Sequence, residues 1–139
     1  WEIVFEERKE PNPCSLCSRM RRGVLHRAAK EEGCRSIALG HHRDDAAETF
    51  LMNLLEGGTL SCFSPKSYLS NRDLYLIRPL LFLSAARRLQ LPVVPTGCPA
   101  DGQTNRQQTK ELIARLSQTY GPVDAKILTA LQKSGLSGW

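Results

Sequence analysis

Apolar positions along this chain recur at two periods, and the alternation between them predicts its elements. From Leu16 to about Glu32 the period is helical: Leu16, Met20, Val24 and Ala28 repeat every four residues, with Leu25 and Ala29 beside them. The other face carries Arg19, Arg22, His26 and Lys30, and Gly33 stops the pattern. Before it, Glu2-Ile3-Val4-Phe5-Glu6 reads as a short strand, broken by Pro11-Asn12-Pro13. Ser36 to Leu39 reads as a buried strand. A second helix is expected from about Ala46 to Glu56, with Ala47, Phe50, Leu51, Leu54 and Leu55 as its buried stripe and Gly57-Gly58 at its end. Residues 59–73 lack a period and read as a loop or weak hairpin, and Leu74 to Ile77 as a strand. Ser84 to Gln90 suits two helical turns, Pro92 to Pro95 an extended segment and Thr96-Gly97-Cys98-Pro99 a turn. A helix from about Asn105 to Tyr120 would bury Leu112, Ile113 and Leu116 and end at Gly121-Pro122. A last one, from about Val123 to Lys133, would bury Ile127, Leu128 and Leu131.

Strands alternating with helices imply an α/β fold, a parallel sheet with helices on its faces. The 139 residues suit one domain. Only three or four strands are visible and the chain opens on a strand pattern at Trp1, so a fragment of a longer protein is expected. No run is long and apolar enough for a membrane span, and no secretory signal is visible. Nineteen Lys and Arg against 14 Asp and Glu give a formal charge of +5, which favours an anionic partner modestly. The five cysteines, Cys14, Cys17, Cys34, Cys62 and Cys98, are an odd count. A reducing compartment such as the cytoplasm fits them better than a disulfide framework.

Cys14-Ser15-Leu16-Cys17 stands at a helix start, where free N–H groups lower thiol pKa, and Arg19, Arg21 and Arg22 act in the same direction. The pair reads as metal or cluster ligands, as a redox dithiol, or as core cysteines. Cys98, in a loop that would reach the same sheet edge, offers a third sulfur. Three thiolates suit a 4Fe–4S cluster with one open iron; His41 or His42 would instead complete a zinc site. Cys34, between a helix end and a strand, reads as a small buried hydrophobe, and Cys62 receives no role. Pro13-Cys14-Ser15-Leu16-Cys17 also matches half of a zinc deaminase signature, but that signature needs an upstream His-x-Glu and no histidine precedes His26.

Gly40-His41-His42-Arg43-Asp44-Asp45 follows a strand and opens a helix. Helix capping explains one of the two carboxylates, with Asp45 and Glu48 at capping-box-like spacing. The second remains for Mg²⁺ or for a proton.

The runs Cys14 to Gly23, Leu39 to Asp45 and Ile77 to Leu80, with Gly57-Gly58 and Pro65-Lys66 between them, resemble the tRNA 2-thiocytidine synthetases of the PP-loop ATPase superfamily. The resemblance spans about residues 2 to 120. It implies a Rossmann-like parallel sheet of the adenine nucleotide alpha hydrolase type, here N-terminally truncated: a single partial domain over residues 1–139. It implies adenylation of a cytidine in the tRNA anticodon loop with ATP and Mg²⁺, and sulfur delivery from a 4Fe–4S cluster on Cys14, Cys17 and Cys98. Asp45 falls at a catalytic acidic position. Arg21 falls where related enzymes carry a catalytic lysine and reads as an electrostatic stabiliser. Gly40, His41, His42 and Asp44 would face the nucleotide; Arg19, Arg22, Lys30 and Lys66 would hold RNA. The implied partners are tRNA and a sulfur donor such as a cysteine desulfurase, with a homodimer as an admissible assembly. The family's Ser-Gly-Gly-x-Asp-Ser phosphate loop would precede Trp1, so this chain alone should not adenylate. The segment from Leu81 to Leu91 and the loop before Cys14 are both shorter than the family's. The alternatives are a non-catalytic zinc-stapled nucleic-acid-binding module and a sulfur-transferring or ATP-hydrolysing relative acting on a small molecule.

Overall fold

The structure is a computed structural model that describes residues 3–9, 13–83, 98, 100, 102 and 104–139. Its elements, in chain order, begin with a π-helical turn (Ile3–Glu7), α1 (Pro13–Glu31) and β1 (Ser36–Ala38). There follow α2 (Arg43–Gly57), β2 (Lys66–Leu69), β3 (Leu74–Ile77), α3 (Asn105–Tyr120) and α4 (Val123–Lys133). The segments expected over Ser84–Gln90, Pro92–Pro95 and most of Thr96–Pro99 lie outside the described residues.

The strands pair in the order β1-β3-β2. Tyr75 N–H donates to Arg35 O and Leu39 N–H to Ile77 O, so β1 and β3 advance together and are parallel. Arg78 N–H donates to Pro65 O across the start of β2. β2 and β3 are therefore the two arms of an antiparallel hairpin, turned at residues 70–73. The α/β class and the parallel pair agree with the sequence reading. The 59–73 loop carries the first arm of the hairpin.

Three expectations are corrected. Residues 3–7 form a π-helical turn, not a strand, closed by Arg8 N–H donating to Ile3 O. A run of three apolar residues has no ladder of its own, and a local bond satisfies its backbone where no described strand pairs with it. β1 is not buried: Ser36 and Ala38 are exposed and Ile37 half-buried, because β1 is an edge of the described sheet. The helical stripes are also narrower than their periodicity suggests. On α1 only Ala29 is buried while Met20, Val24 and Leu25 are exposed; on α2 Leu54 and Leu55 are exposed.

The chain divides into two compact units, residues 1–37 with 68–76, and residues 38–67 with 77–139. In the first, the π-helical turn packs on α1, and Val4, Ala29, Leu74 and Leu76 are buried. In the second, α2, α3 and α4 pack on one another. Ala46, Leu81 and Leu128 form its core, with Cys62, Phe63 and Trp139 against them. An ion pair of 2.6 Å between Arg43 and Asp124 ties the start of α2 to that of α4.

Candidate functional site

The segment between β1 and α2 builds the polar cluster, all of it within the second unit. His42 is the N-cap of α2, with extended backbone (φ −122°). Its N–H donates to Asp45 Oδ2 at 2.9 Å. The carboxylate three residues into the helix thus reaches back to the cap, so the box runs from Asp45 to His42 rather than from Asp45 to Glu48. His42 Nε2 lies 3.5 Å from the same oxygen, and its Nδ1 3.9 Å from Asp44 Oδ2. Gly40 has open space where a Cβ would stand. Nothing among the described residues requires a glycine there, and the backbone is open to a ligand.

Arg106, from the first turn of α3, closes the cluster. Its Nη1 donates to Asp45 Oδ1 at 3.2 Å and to Glu48 Oε2 at 2.9 Å, and its Nη2 donates to Thr49 Oγ1 at 3.2 Å. Both Asp45 oxygens are therefore engaged, one by the helix cap and one by the guanidinium. Glu48 is buried, and its desolvation raises the carboxyl pKa against the opposing pull of Arg106.

His41 packs its ring 4.8 Å from that of Phe63, and the Arg78 guanidinium lies 4.8 Å over the same ring. Arg78 is buried and donates to Ser64 O at 2.6 Å. Burial lowers the His41 pKa although Asp45 pulls the other way, so the imidazole is held towards its neutral form. Cys62 donates its thiol to Ala46 O at 3.5 Å, and burial pushes its pKa up to about 11.

Sequence reasoning missed Arg106, Phe63, Arg78 and Cys62 as parts of this arrangement, and read Glu48 only at capping-box spacing from Asp45. One signal was present: the first turn of α3 carries an arginine and no acid. That opposes the helix dipole and calls for an anionic partner elsewhere.

The other candidates fall as follows. Cys14 and Cys17 stand in the first turns of α1, three residues apart and so on one face; Cys14 is exposed and Cys17 half-buried. Cys98 is half-buried and belongs to the second unit. Among the described residues no group of three or more His, Cys, Asp and Glu could hold a metal ion. Cys34 is exposed, contrary to the buried position expected, because the turn after Gly33 carries it outside the core. Arg19, Arg21, Arg22 and Lys30 are exposed on α1, and Lys66 is exposed on β2. Asp44 is half-buried. Among the described residues no helix is long and apolar enough to cross a membrane.

The fold is that of an α/β protein with a polar cluster where a parallel strand feeds a helix. The chain belongs to the PP-loop domain family, whose model matches residues 15–92. It is 47% identical over 107 residues to the tRNA-cytidine(32) 2-sulfurtransferase of Cereibacter sphaeroides, covering 72% of this chain and 37% of that protein. It is 47% identical over 121 residues to the protein of the same name from Paracoccus denitrificans, covering 81% of this chain and 41% of the other. The chain thus spans about two fifths of the length of these curated relatives. Among solved structures it is similar to the U34-tRNA thiolase NcsA from Methanococcus maripaludis with its 4Fe–4S cluster. That similarity has a TM-score of 0.71 and 27% identity over 92% of this chain and 45% of the other.

Proposed function

We propose that this chain is the cluster-bearing part of an ATP-dependent tRNA thiolase that converts a cytidine to 2-thiocytidine. The observation that carries this reading is its 47% identity, over 107 residues, to a tRNA-cytidine(32) 2-sulfurtransferase. The polar cluster supports it, because the site's acidic residue is held in one orientation by groups from two helices. Preorganised charge of this kind is what an adenylation site needs.

Cys14, Cys17 and Cys98 would hold the 4Fe–4S cluster. The first two fit such a role, being free thiols on one face at a helix start. When bound, the cluster would carry the sulfur to be transferred. The chain's own residues do the rest. Gly40 admits the nucleotide close to the backbone, and His41, kept neutral by burial, places no competing positive charge beside Asp45. His42 and Arg106 fix the Asp45 carboxylate. Asp44, not used by the cap, is available to Mg²⁺. Arg21 stabilises negative charge developing on the activated base. Arg19, Arg22, Lys30 and Lys66 hold tRNA.

The test is a chimera in which this chain replaces the matching segment of the Paracoccus denitrificans relative, expressed in a host lacking 2-thiocytidine. Mass spectrometry of hydrolysed tRNA should show the thiolated nucleoside, and Asp45→Asn should abolish it with iron content unchanged. A folded, iron-loaded chimera that makes none would contradict the reading. Full activity with Asp45→Asn would leave Asp45 as a helix cap only.

A further inference from the structure

The first unit contains a basic trench that the polar cluster does not use. Three cavities of about 470, 300 and 270 Å³ lie along it between α1 and the hairpin turn at residues 69–73. They run into one another: Arg72 lines all three, Lys30 lines the first and third, and His26 lines the second and third. Six of the lining side chains are cations, namely Arg19, Arg22, Arg27, Lys30, Arg35 and Arg72. Among the described residues the one lining carboxylate, Asp73, already accepts a hydrogen bond from Tyr68 at 2.8 Å. His26 Nε2, shielded from solvent, has no hydrogen-bond partner among the described residues.

We propose that this trench binds the phosphodiester backbone of RNA, with α1 as one wall and Arg72 on the hairpin turn as the other. The proposal rests on the reading of the protein as a tRNA-modifying enzyme and deepens it by locating a contact surface. Its length favours a polymer over a single phosphate: from Arg19 to Lys30 the helix rises about 16 Å. Its lining explains the mode of contact. Among the described residues no aromatic side chain but His26 lines it, so it offers no platform for stacking bases and reads charge rather than sequence. The apolar-and-basic pattern of α1 supplied one wall. Arg27 joins that wall from beside the stripe, and Arg35 and Arg72 enter when the hairpin turn is placed beside it.

Binding of an unmodified tRNA transcript to the whole chain, measured by fluorescence anisotropy across a salt series, tests this. The triple variant Arg22→Gln, Arg27→Gln, Arg72→Gln should reduce the slope of log affinity against log salt by about 2. At ~0.1 M salt it should weaken binding about 100-fold. Arg72→Lys, which keeps the charge, should retain the wild-type slope, and Lys133→Gln in the second unit should change neither quantity. An unrelated tRNA should show the same slope as the first. An unchanged slope in the triple variant would overturn the trench while leaving the tRNA reading intact. So would a loss with Arg72→Lys as large as with Arg72→Gln. Wild-type chain that binds no tRNA at all would instead remove the reading on which the trench depends.

Discussion

Arg106 is the residue on which the polar cluster turns. One guanidinium serves Asp45, Glu48 and Thr49, and Glu48 is buried, so removing the guanidinium leaves a buried carboxylate without its cation. Arg106→Ala should lower unfolding stability by about 2 kcal/mol in urea titrations, and adding Glu48→Gln should recover part of that loss. Full additivity of the two changes would mean that the pair does not interact. His41 supplies a pH dependence of known sign. Its folded pKa lies below 6.5, so the stability it confers is present above 6.5 and is lost as pH falls through the folded value. Glu48 acts oppositely: its raised pKa favours the folded state in acid, and that contribution is lost as pH rises above the ordinary carboxyl range. The comparison must therefore be between proteins: from pH 7 to 5.5, wild type should lose more thermal stability than His41→Gln. Equal losses would mean that His41 titrates normally. Cys62, with its pKa near 11, should alkylate about 100-fold more slowly at pH 8 than an exposed thiol, read by mass spectrometry.

At the scale of elements, what the sequence made legible was whatever depends on local chemistry. α3 and α4 begin and end where Thr104, Gly121 and the apolar spacing place them, and β3 covers the expected Leu74–Ile77. The end of α2 follows from Gly58, which adopts the left-handed conformation (φ 60°). Burial was not legible in the same way, because periodicity states which face is apolar and not whether anything covers it. Val24 belongs to the α1 stripe yet is exposed, and the π-helical turn occupies a run whose composition suits a strand. The site shows the same division. His42 and Asp45 were legible as neighbouring polar residues at a helix start, although the spacing paired Asp45 with Glu48 rather than with His42. Arg106 was not, because its contacts with Asp45 and Glu48 span 61 and 58 residues.

At the scale of the whole molecule, two kinds of chemistry stand in separate compact units: a thiol pair opens α1 in one, and an acid cluster opens α2 in the other. The acid cluster uses the N-terminus of α2 to hold negative charge. The proposed function makes Cys14, Cys17 and Cys98 ligands of one 4Fe–4S cluster. Anaerobic reconstitution of the chain with iron and sulfide, followed by iron analysis, addresses it most directly. The expected product is a brown protein with about four irons per chain, with loss of that iron in Cys98→Ala. A chain that takes one tightly held zinc and no iron, or that keeps its iron after Cys98→Ala, would contradict it.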